Sequence, residues 1–174
     1  MIKTTIYTDE ESGEIKKHKQ EKVGVQFDEE KGYLFWNRKG HNKIFHEIEL
    51  PSCLSWNDKG RLLELSRHVW SNTNLLAYRG NGGIKPYGID KIQEIIQLKD
   101  RQTREFMKKM MDNNIIAKVN IEIGNEIQEH FYLNPIYFFS GNRIPLNLYL
   151  IFKESLDVVL PDWVKMKFKE KENN

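Results

Sequence analysis

The stretch IDKIQEIIQLKDRQTREFMKKMMDNNII, residues 89–116, predicts two helices separated by a short turn. Ile89, Ile92 and Ile96 recur at i, i+3 and i+7, which places them on one apolar face of a first helix. After a break at Leu98-Lys99-Asp100, Asp100 is a candidate cap for a second helix. The apolar face of that second helix is predicted to consist of Thr103, Phe106, Met107 and Met110.

The sequence on either side adds a helix, a strand and a hairpin. Residues 57–70 carry apolar residues at helical spacing, and residues 74–79 form an extended run. Residues 115–123 and 127–133 are rich in β-forming residues and flank Gly124-Asn125, which is typical of a tight hairpin turn. Helix, strand, helix, turn, helix and hairpin occur in this order in a winged helix-turn-helix, so we expect an α+β fold of that kind.

Three regions are predicted along the chain. Residues 51–135 hold the winged helix-turn-helix. Residues 136–174 are expected to form C-terminal helices, one over 146–160 and a shorter one from Pro161, with dimerisation as their candidate role. Residues 1–50 are predicted to form an antiparallel β extension, accessory to the main domain, with β-prone runs at 2–7, 23–27, 33–36 and 44–50.

Composition excludes several classes of protein. The 39% hydrophobic content of 174 residues is that of an ordinary globular protein, and the longest apolar runs fall far short of the roughly 20 residues that span a bilayer. We therefore expect a cytoplasmic protein with no membrane partner. The formal charge of +2 is too small to indicate nucleic-acid binding, but residues 99–109 hold five Lys or Arg against two Asp or Glu.

No pattern in the sequence predicts catalysis or a bound metal. The single cysteine, Cys53, excludes an intramolecular disulfide, and His41 and His46 are not spaced to share one face of a strand or helix. A rolling-circle initiator would need a His-hydrophobe-His pair, which is absent, and no Ser/His/Asp or Cys/His signature is present. The glycine cluster at 80–83 lacks a following Gly-Lys-Ser/Thr and is expected to be a hairpin tip. We expect no enzyme activity, metal or cofactor.

The second helix of a helix-turn-helix enters the major groove with its N-terminal residues against the base edges. Arginine pairs with guanine and glutamine with adenine, whereas lysine suits a phosphate. On the hairpin, Glu122, Glu126 and Glu129 oppose phosphate contact, so few candidates remain there. The candidate DNA contacts are Lys99, Arg101, Gln102, Thr103, Arg104 and Lys108 on the helix, and Lys118, Asn120 and Asn125 on the hairpin. Thr103 belongs both to this set and to the predicted apolar face.

The sequence also resembles a known family over roughly residues 8–135. Residues 92–116 follow the generic winged-helix pattern without a gap, although Lys99 stands in the usual Ser/Thr cap position and Gln97 in that of the turn glycine. Four short motifs resemble Firmicute plasmid replication proteins of the RepL type and related MarR-like proteins of phages and mobile elements. They are Asp9-Glu10-Glu11-Ser12-Gly13-Glu14, Ser71-Asn72-Thr73-Asn74, Asn114-Ile115-Ile116-Ala117-Lys118 and Phe131-Tyr132-Leu133-Asn134-Pro135. The resemblance implies a winged-helix protein that binds specific DNA in a mobile element, at an origin or a promoter.

We therefore expect sequence-specific binding of double-stranded DNA that controls replication or transcription of a plasmid or phage-like element. The alternative is a winged helix that serves as a protein-interaction module, such as an anti-repressor or adaptor, without reading DNA. A homodimer is predicted, because one recognition helix buries little surface and two-fold partners read paired half-sites. The apolar surface for it would come from Tyr149, Phe152, Leu156 and Trp163, unless these residues pack against their own chain.

Overall fold

The computed structural model describes residues 2–8, 15–22, 27–28, 32–33, 42–124 and 126–172, and its contacts divide the chain into units 1–38 and 39–174. In the first unit, β1 (Ile2–Thr8) pairs antiparallel with β2 (Ile15–Lys22), and β3 (Phe27–Asp28) pairs with β4 (Gly32–Tyr33). The predicted strand at 2–7 is confirmed. The sequence analysis missed β2 because its residues, IKKHKQEK, are polar at almost every position.

Two predicted strands of the N-terminal region lie partly outside the described residues, namely those at 23–27 and 33–36. The prediction of a strand at 44–50 is wrong. Lys43, just before this segment, forms an antiparallel bridge with Phe139, and residues 44–50 continue as turn and irregular chain. Ile44 and Phe45 are 59% and 41% exposed. No sheet face covers these two side chains, and residues with high β propensity do not form a strand unless their side chains pack on such a face.

Helix α1 (Trp56–Ser66) begins at a capping box. The Ser55 hydroxyl accepts a hydrogen bond from the Asp58 amide at 3.1 Å, and the Asp58 carboxylate accepts one from the Ser55 amide at 3.2 Å. The helix ends four residues before the predicted end at 70. Val69 and Trp70 instead pair with the extended segment that follows, where the Trp70 amide donates to the Leu75 carbonyl at 2.7 Å.

The extended segment leads into a hairpin formed by β5 (Ala77–Gly80) and β6 (Gly83–Pro86). The glycine cluster forms the tip of this hairpin, as predicted. Gly82 and Gly83 have φ angles of 90° and 129°, a region that side chains with a Cβ rarely occupy.

Helices α2 (Ile89–Ile96) and α3 (Asp100–Asp112) confirm the two helices predicted around the turn. The expected cap is wrong by one residue, because Lys99 is the N-cap and Asp100 is already the first residue of α3. An ammonium group cannot accept a hydrogen bond, so only the return half of a capping box forms, with the Gln102 side chain accepting from the Lys99 amide at 3.4 Å. Gln97 adopts the left-handed conformation, with φ 54° and ψ 46°, that a turn glycine usually supplies.

The predicted C-terminal hairpin of this region is formed by β7 (Ile116–Ile123) and β8 (Glu126–Leu133), with Ile116 opposite Leu133 and Ile123 opposite Glu126. The extended segment before β5 adds to its edge. Leu75 bridges to Tyr132, and the Leu76 amide donates to the Phe131 carbonyl at 2.8 Å. Strand pairing thus connects the chain before α2 to the hairpin after α3.

Three C-terminal helices follow, α4 (Leu146–Ile151), α5 (Lys153–Val159) and α6 (Asp162–Glu172). The prediction of one helix over 146–160 is wrong, because Phe152 has φ −118° and ψ 27° and interrupts it. This break lets Phe152, Tyr149 and Leu156 enter one apolar cluster that also holds Leu75 and Tyr132. Burial of these large side chains outweighs the continuity of the helix.

A second and larger cluster is enclosed by α1, α2, α3 and the hairpin β7–β8. Its fully buried members include Leu62, Leu65, Ile92, Met110 and Ile116. The chain is therefore a mixed helix and sheet structure, which is compatible with the expected α+β class, and the winged helix stays a prediction. Among the described residues, no helix has the length and apolar character needed to cross a bilayer.

Candidate nucleic-acid interface

Helix α3 separates its residues into a buried and an exposed side. Thr103, Phe106, Met107 and Met110 are at most 5% exposed, as the periodicity predicted. The inclusion of Thr103 among the candidate DNA contacts conflicts with this placement, because its side chain is 0% exposed and turned into the core. The exposed side carries the remaining candidates of this helix, which are Lys99, Arg101, Gln102, Arg104 and Lys108.

Three of the four basic residues of this exposed side have an acidic neighbour one helical turn away, whereas Lys99 forms no ion pair among the described residues. Arg101 contacts Glu105 at 2.9 Å, Arg104 contacts Asp100 at 3.1 Å, and Lys108 contacts Asp112 at 2.8 Å. The hydrogen bond from Arg104 to Asp100 raises the pKa of the guanidinium. Ion pairs this exposed contribute little stability and exchange readily for another anion. The basic face of α3 is thus neutralised at Arg101, Arg104 and Lys108, where a phosphate would have to displace a carboxylate.

Lys109 holds α3 against α1 and is not part of the exposed face. Its ammonium lies 2.9 Å from the Asp58 carboxylate, which is 14% exposed. Burial acts to raise the pKa of Asp58, but the hydrogen bonds from Lys109 and Ser55 outweigh it, and the net pKa is lowered. The carboxylate that closes the capping box of α1 therefore also fixes the position of α3.

The hairpin β7–β8 brings Lys118 and Asn120 to the side that faces α3. Both are exposed, and the Lys118 ammonium lies 2.9 Å from the Glu129 carboxylate on the neighbouring strand. Lys118, Glu129 and Arg104 line one cleft of about 190 Å³ between the helix and the hairpin. Only the tertiary structure brings Arg104 and Lys118 together. The third hairpin candidate, Asn125, lies outside the described residues.

The far end of this hairpin has the wrong character for phosphate contact. Glu122 and Glu126 are exposed, as is Glu129 near the middle of the hairpin. Ile123 and Ile127 are 54% and 66% exposed. The tip therefore presents an acidic and apolar surface, which agrees with the expectation that its glutamates oppose DNA.

Several motif residues that carry the family resemblance have a structural role. Asn74 is 0% exposed, and its amide donates to the carbonyls of Leu133 and Phe138 at 3.0 and 2.6 Å. Asn134, also fully buried, donates to the Asn114 carbonyl at 2.7 Å and to the Ser155 hydroxyl at 3.0 Å. These bonds fasten the ends of α3, β8 and α5 to one another. Buried amides whose hydrogen bonds are satisfied in this way favour one particular packing.

The sequence analysis missed the basic character of the hairpin β5–β6. Arg79 and Lys85 are exposed, and neither forms an ion pair with a carboxylate in the described part of the chain. The available signal was the absence of any Asp or Glu from residues 65–89. The basic residues in that stretch are few and scattered, so the charge pattern of the sequence does not mark a basic segment there.

Three of the four residues proposed for a dimer interface are buried within their own chain. Tyr149, Phe152 and Leu156 are at most 1% exposed, and Tyr149 stacks on Phe168 with ring centroids 4.1 Å apart. Assigning them to a dimer surface was therefore wrong, because the broken helix turns them inward. Trp163 remains 70% exposed. The predicted dimer now depends on this side chain and its neighbours.

Within the described part of the chain, the remaining residues with reactive or metal-binding side chains are not brought together into a site. His46 and Cys53 are exposed, and the Cys53 thiol lies 3.2 Å from the Asn113 side-chain oxygen. His41 lies outside the described residues, among which no three His, Cys, Asp or Glu side chains are grouped to hold a metal ion. The exposed face of α3, with the adjoining cleft, is thus the best candidate site. Comparison with protein-family models, curated proteins and solved structures found no match for this chain.

Proposed function

We propose that the chain binds double-stranded DNA with sequence preference, using α3 as the recognition helix of a winged helix-turn-helix. The observation that carries the proposal is the division of α3 into a buried apolar side and an exposed side with five polar or basic candidates, directly after a left-handed turn. Such a helix presents side chains to the major groove while its core face holds it on the domain. Control of replication or transcription in a plasmid or phage-like element is the role that the family resemblance adds.

The candidates differ in what they offer a duplex. Arg101, Arg104 and Lys108 follow one another at i, i+3 and i+7 and so form one outward stripe. Arg101 and Arg104 lie in the first turns of α3, where guanine O6 and N7 would be in reach of a guanidinium. Lys108 lies further along and suits a phosphate. Each of these side chains must leave its carboxylate before it can contact DNA, which costs free energy. The negative field of the phosphates attracts the cationic group and so reduces this cost.

Gln102 is less ready to read a base than the sequence alone indicates. Pairing with adenine requires both the oxygen and the nitrogen of the glutamine amide. In the structure, the oxygen accepts a long hydrogen bond of 3.4 Å from the Lys99 amide. Adenine readout would therefore release this half of the capping box, and we expect the two arginines to contribute more to sequence preference.

A second candidate function has its own support. Every basic residue of the α3 stripe is paired with a carboxylate, and the tip of β7–β8 is acidic and apolar. These features favour a protein partner rather than a phosphate backbone. The same chain would then be an anti-repressor or adaptor without DNA readout.

A binding titration decides between the two functions. The protein is titrated into a duplex selected from a random pool and, separately, into a scrambled duplex, each at several salt concentrations. We expect Arg101→Ala and Arg104→Ala each to cost about 1 to 3 kcal/mol on the selected duplex and to relax preference at one base position. Lys108→Ala should weaken both duplexes equally and lower the salt slope by about 0.9.

The matched control for these variants is Arg67→Ala. Arg67 is an exposed arginine at the end of α1 whose ion pair with Glu64, at 3.2 Å, resembles those on α3. This variant should bind as the unsubstituted protein does. If the pool yields no enriched sequence and no salt-dependent binding, the protein-interaction module is the correct account.

A further inference from the structure

We propose that the hairpin β5–β6 is a second DNA-contacting element, which binds the phosphate backbone through Arg79 and Lys85. The inference rests on the proposed DNA binding and extends it to a part of the chain outside the helix-turn-helix and the β7–β8 hairpin. Its starting point is a contrast in charge. The basic residues of the α3 stripe are each paired with a carboxylate, whereas Arg79 and Lys85 have no ion-pair partner among the described residues.

The hairpin holds its two charges close to an open tip. Strand register places Tyr78 opposite Lys85 and Arg79 opposite Ile84, so the two basic side chains leave opposite faces near the turn. The stem of Lys85 lies across Gly80, where a Cβ would stand only 2.8 Å from the lysine Cδ. Glycine at this position therefore lets the lysine lie along the strand. Gly82 and Gly83 have open space around them, so the tip can approach a backbone closely.

Aromatic contacts anchor the hairpin to the body of the domain. Tyr78 stacks on Tyr87 with ring centroids 5.2 Å apart, and the Tyr87 hydroxyl lies 3.4 Å from His68 Nδ1 at the end of α1. The Tyr87 amide also donates to the Leu76 carbonyl at 2.9 Å. A contact made by an anchored hairpin requires less ordering on binding than one made by a mobile loop.

The hairpin surface is continuous with the candidate site on α3. One groove is lined by Tyr78 and Lys85 from the hairpin and by Gln128 and Glu129 from β8. Glu129 also lines the cleft that holds Arg104 and Lys118. The groove beside Lys85 and the cleft that holds Arg104 and Lys118 therefore share Glu129 in their linings, and a duplex placed on α3 would extend over the Lys85 face of the hairpin. Two unpaired cationic side chains, with no neighbouring group placed to read a base, are suited to bind the phosphodiester backbone.

The test uses the full chain and measures the salt dependence of binding to a fluorescent 20-base-pair duplex, both selected and scrambled. Arg79→Gln combined with Lys85→Gln removes two charges and leaves shorter side chains that are polar and uncharged. The control, Lys169→Gln with Lys171→Gln, removes two exposed charges from α6. Loss of two phosphate contacts should lower the salt slope by about 1.8 on both duplexes, and the control should leave it unchanged. The variant Arg79→Lys, in which Lys85 is unchanged, should keep the salt slope because both charges remain.

Several outcomes overturn the inference. If the hairpin variant keeps the slope while Arg101→Ala and Arg104→Ala weaken binding, α3 reads DNA and the hairpin does not. If hairpin variant and control lose the same slope, the effect is one of net charge and not of position. If Arg79→Lys, which keeps both charges, lowers the slope as much as the double variant Arg79→Gln with Lys85→Gln does, a phosphate contact is contradicted. If the unsubstituted protein binds neither duplex, the proposed function fails, and this inference fails with it.

Discussion

Replacing Thr103 with valine should stabilise the protein, although valine has no hydroxyl to bind anything. The Thr103 side chain is 0% exposed, and its hydroxyl is buried without a hydrogen-bond partner among the described residues. Burying an unsatisfied hydroxyl costs about 1 to 3 kcal/mol, and valine has nearly the same shape. Threonine and valine have similar helix propensities, so α3 itself should be unaffected. We therefore expect the free energy of unfolding to rise by about 1 kcal/mol or more.

The assay is urea unfolding at equilibrium, in which the midpoint should rise while the slope with urea stays constant. Thr103→Ser is the control, because it keeps the hydroxyl and loses a buried methyl, and it should destabilise the protein by about 0.8 kcal/mol. Neither variant should alter affinity for a selected duplex. The reasoning is refuted if Thr103→Val lowers the unfolding midpoint. It is also refuted if Thr103→Val weakens DNA binding and Thr103→Ser does not, since the hydroxyl would then be a contact.

Three further predictions concern the turn, the half-buried His130 and the C-terminal surface. Gln97→Gly should raise the free energy of unfolding by about 1 kcal/mol, because glycine tolerates φ 54°, and Gln97→Ala should give no such gain in the same urea assay. Burial lowers the pKa of His130 below 6.5, so the unfolded chain binds the extra proton first. Stability should be complete above pH 6.5 and decline below it, and His130→Gln should flatten this decline in urea midpoints taken from pH 7.5 to 5.5. The protein should sediment as a dimer. Replacing the exposed Trp163 and Met166 together by serine should dissociate this dimer, and a monomer at micromolar concentration, free and on DNA, would exclude it.

Local sequence was sufficient for α2, α3 and the turns of the two hairpins that flank them. The helical period alone assigned Phe106, Met107 and Met110 to the core, because residues that share a face are fixed by the geometry of the helix itself. The hairpin tip at Gly124 and the glycine tip before β6 were equally readable, since a tight turn depends on a few adjacent residues. The ion pairs along α3 could have been read from their i, i+4 spacing as well.

The errors lie where distant residues decide a local conformation. Phe152 interrupts a helix that its neighbours would continue, because burying Phe152 with Leu75 and Tyr132 is worth more than another helical turn. Residues 44–50 have the propensity for a strand and lack a sheet edge beyond the one bridge at Lys43. The cap expected at Asp100 lies at Lys99 instead. Lys99 and Gln97 hold the cap and turn positions that the winged-helix pattern assigned to them, although neither residue type is suited there, because the packing of α2 on α3 fixes the turn.

The candidate site shows the same division between local and distant determinants. The sequence by itself determined which side chains of α3 point outward, since that depends on spacing along one helix. Only the tertiary structure brought Arg104, Lys118 and Glu129 to one cleft, and Lys85 to a groove that Glu129 also lines. These residues come from three separate elements, and no periodicity relates them. Their proximity is set by strand pairing between β8 and the segment before β5, a long-range contact that no local pattern contains.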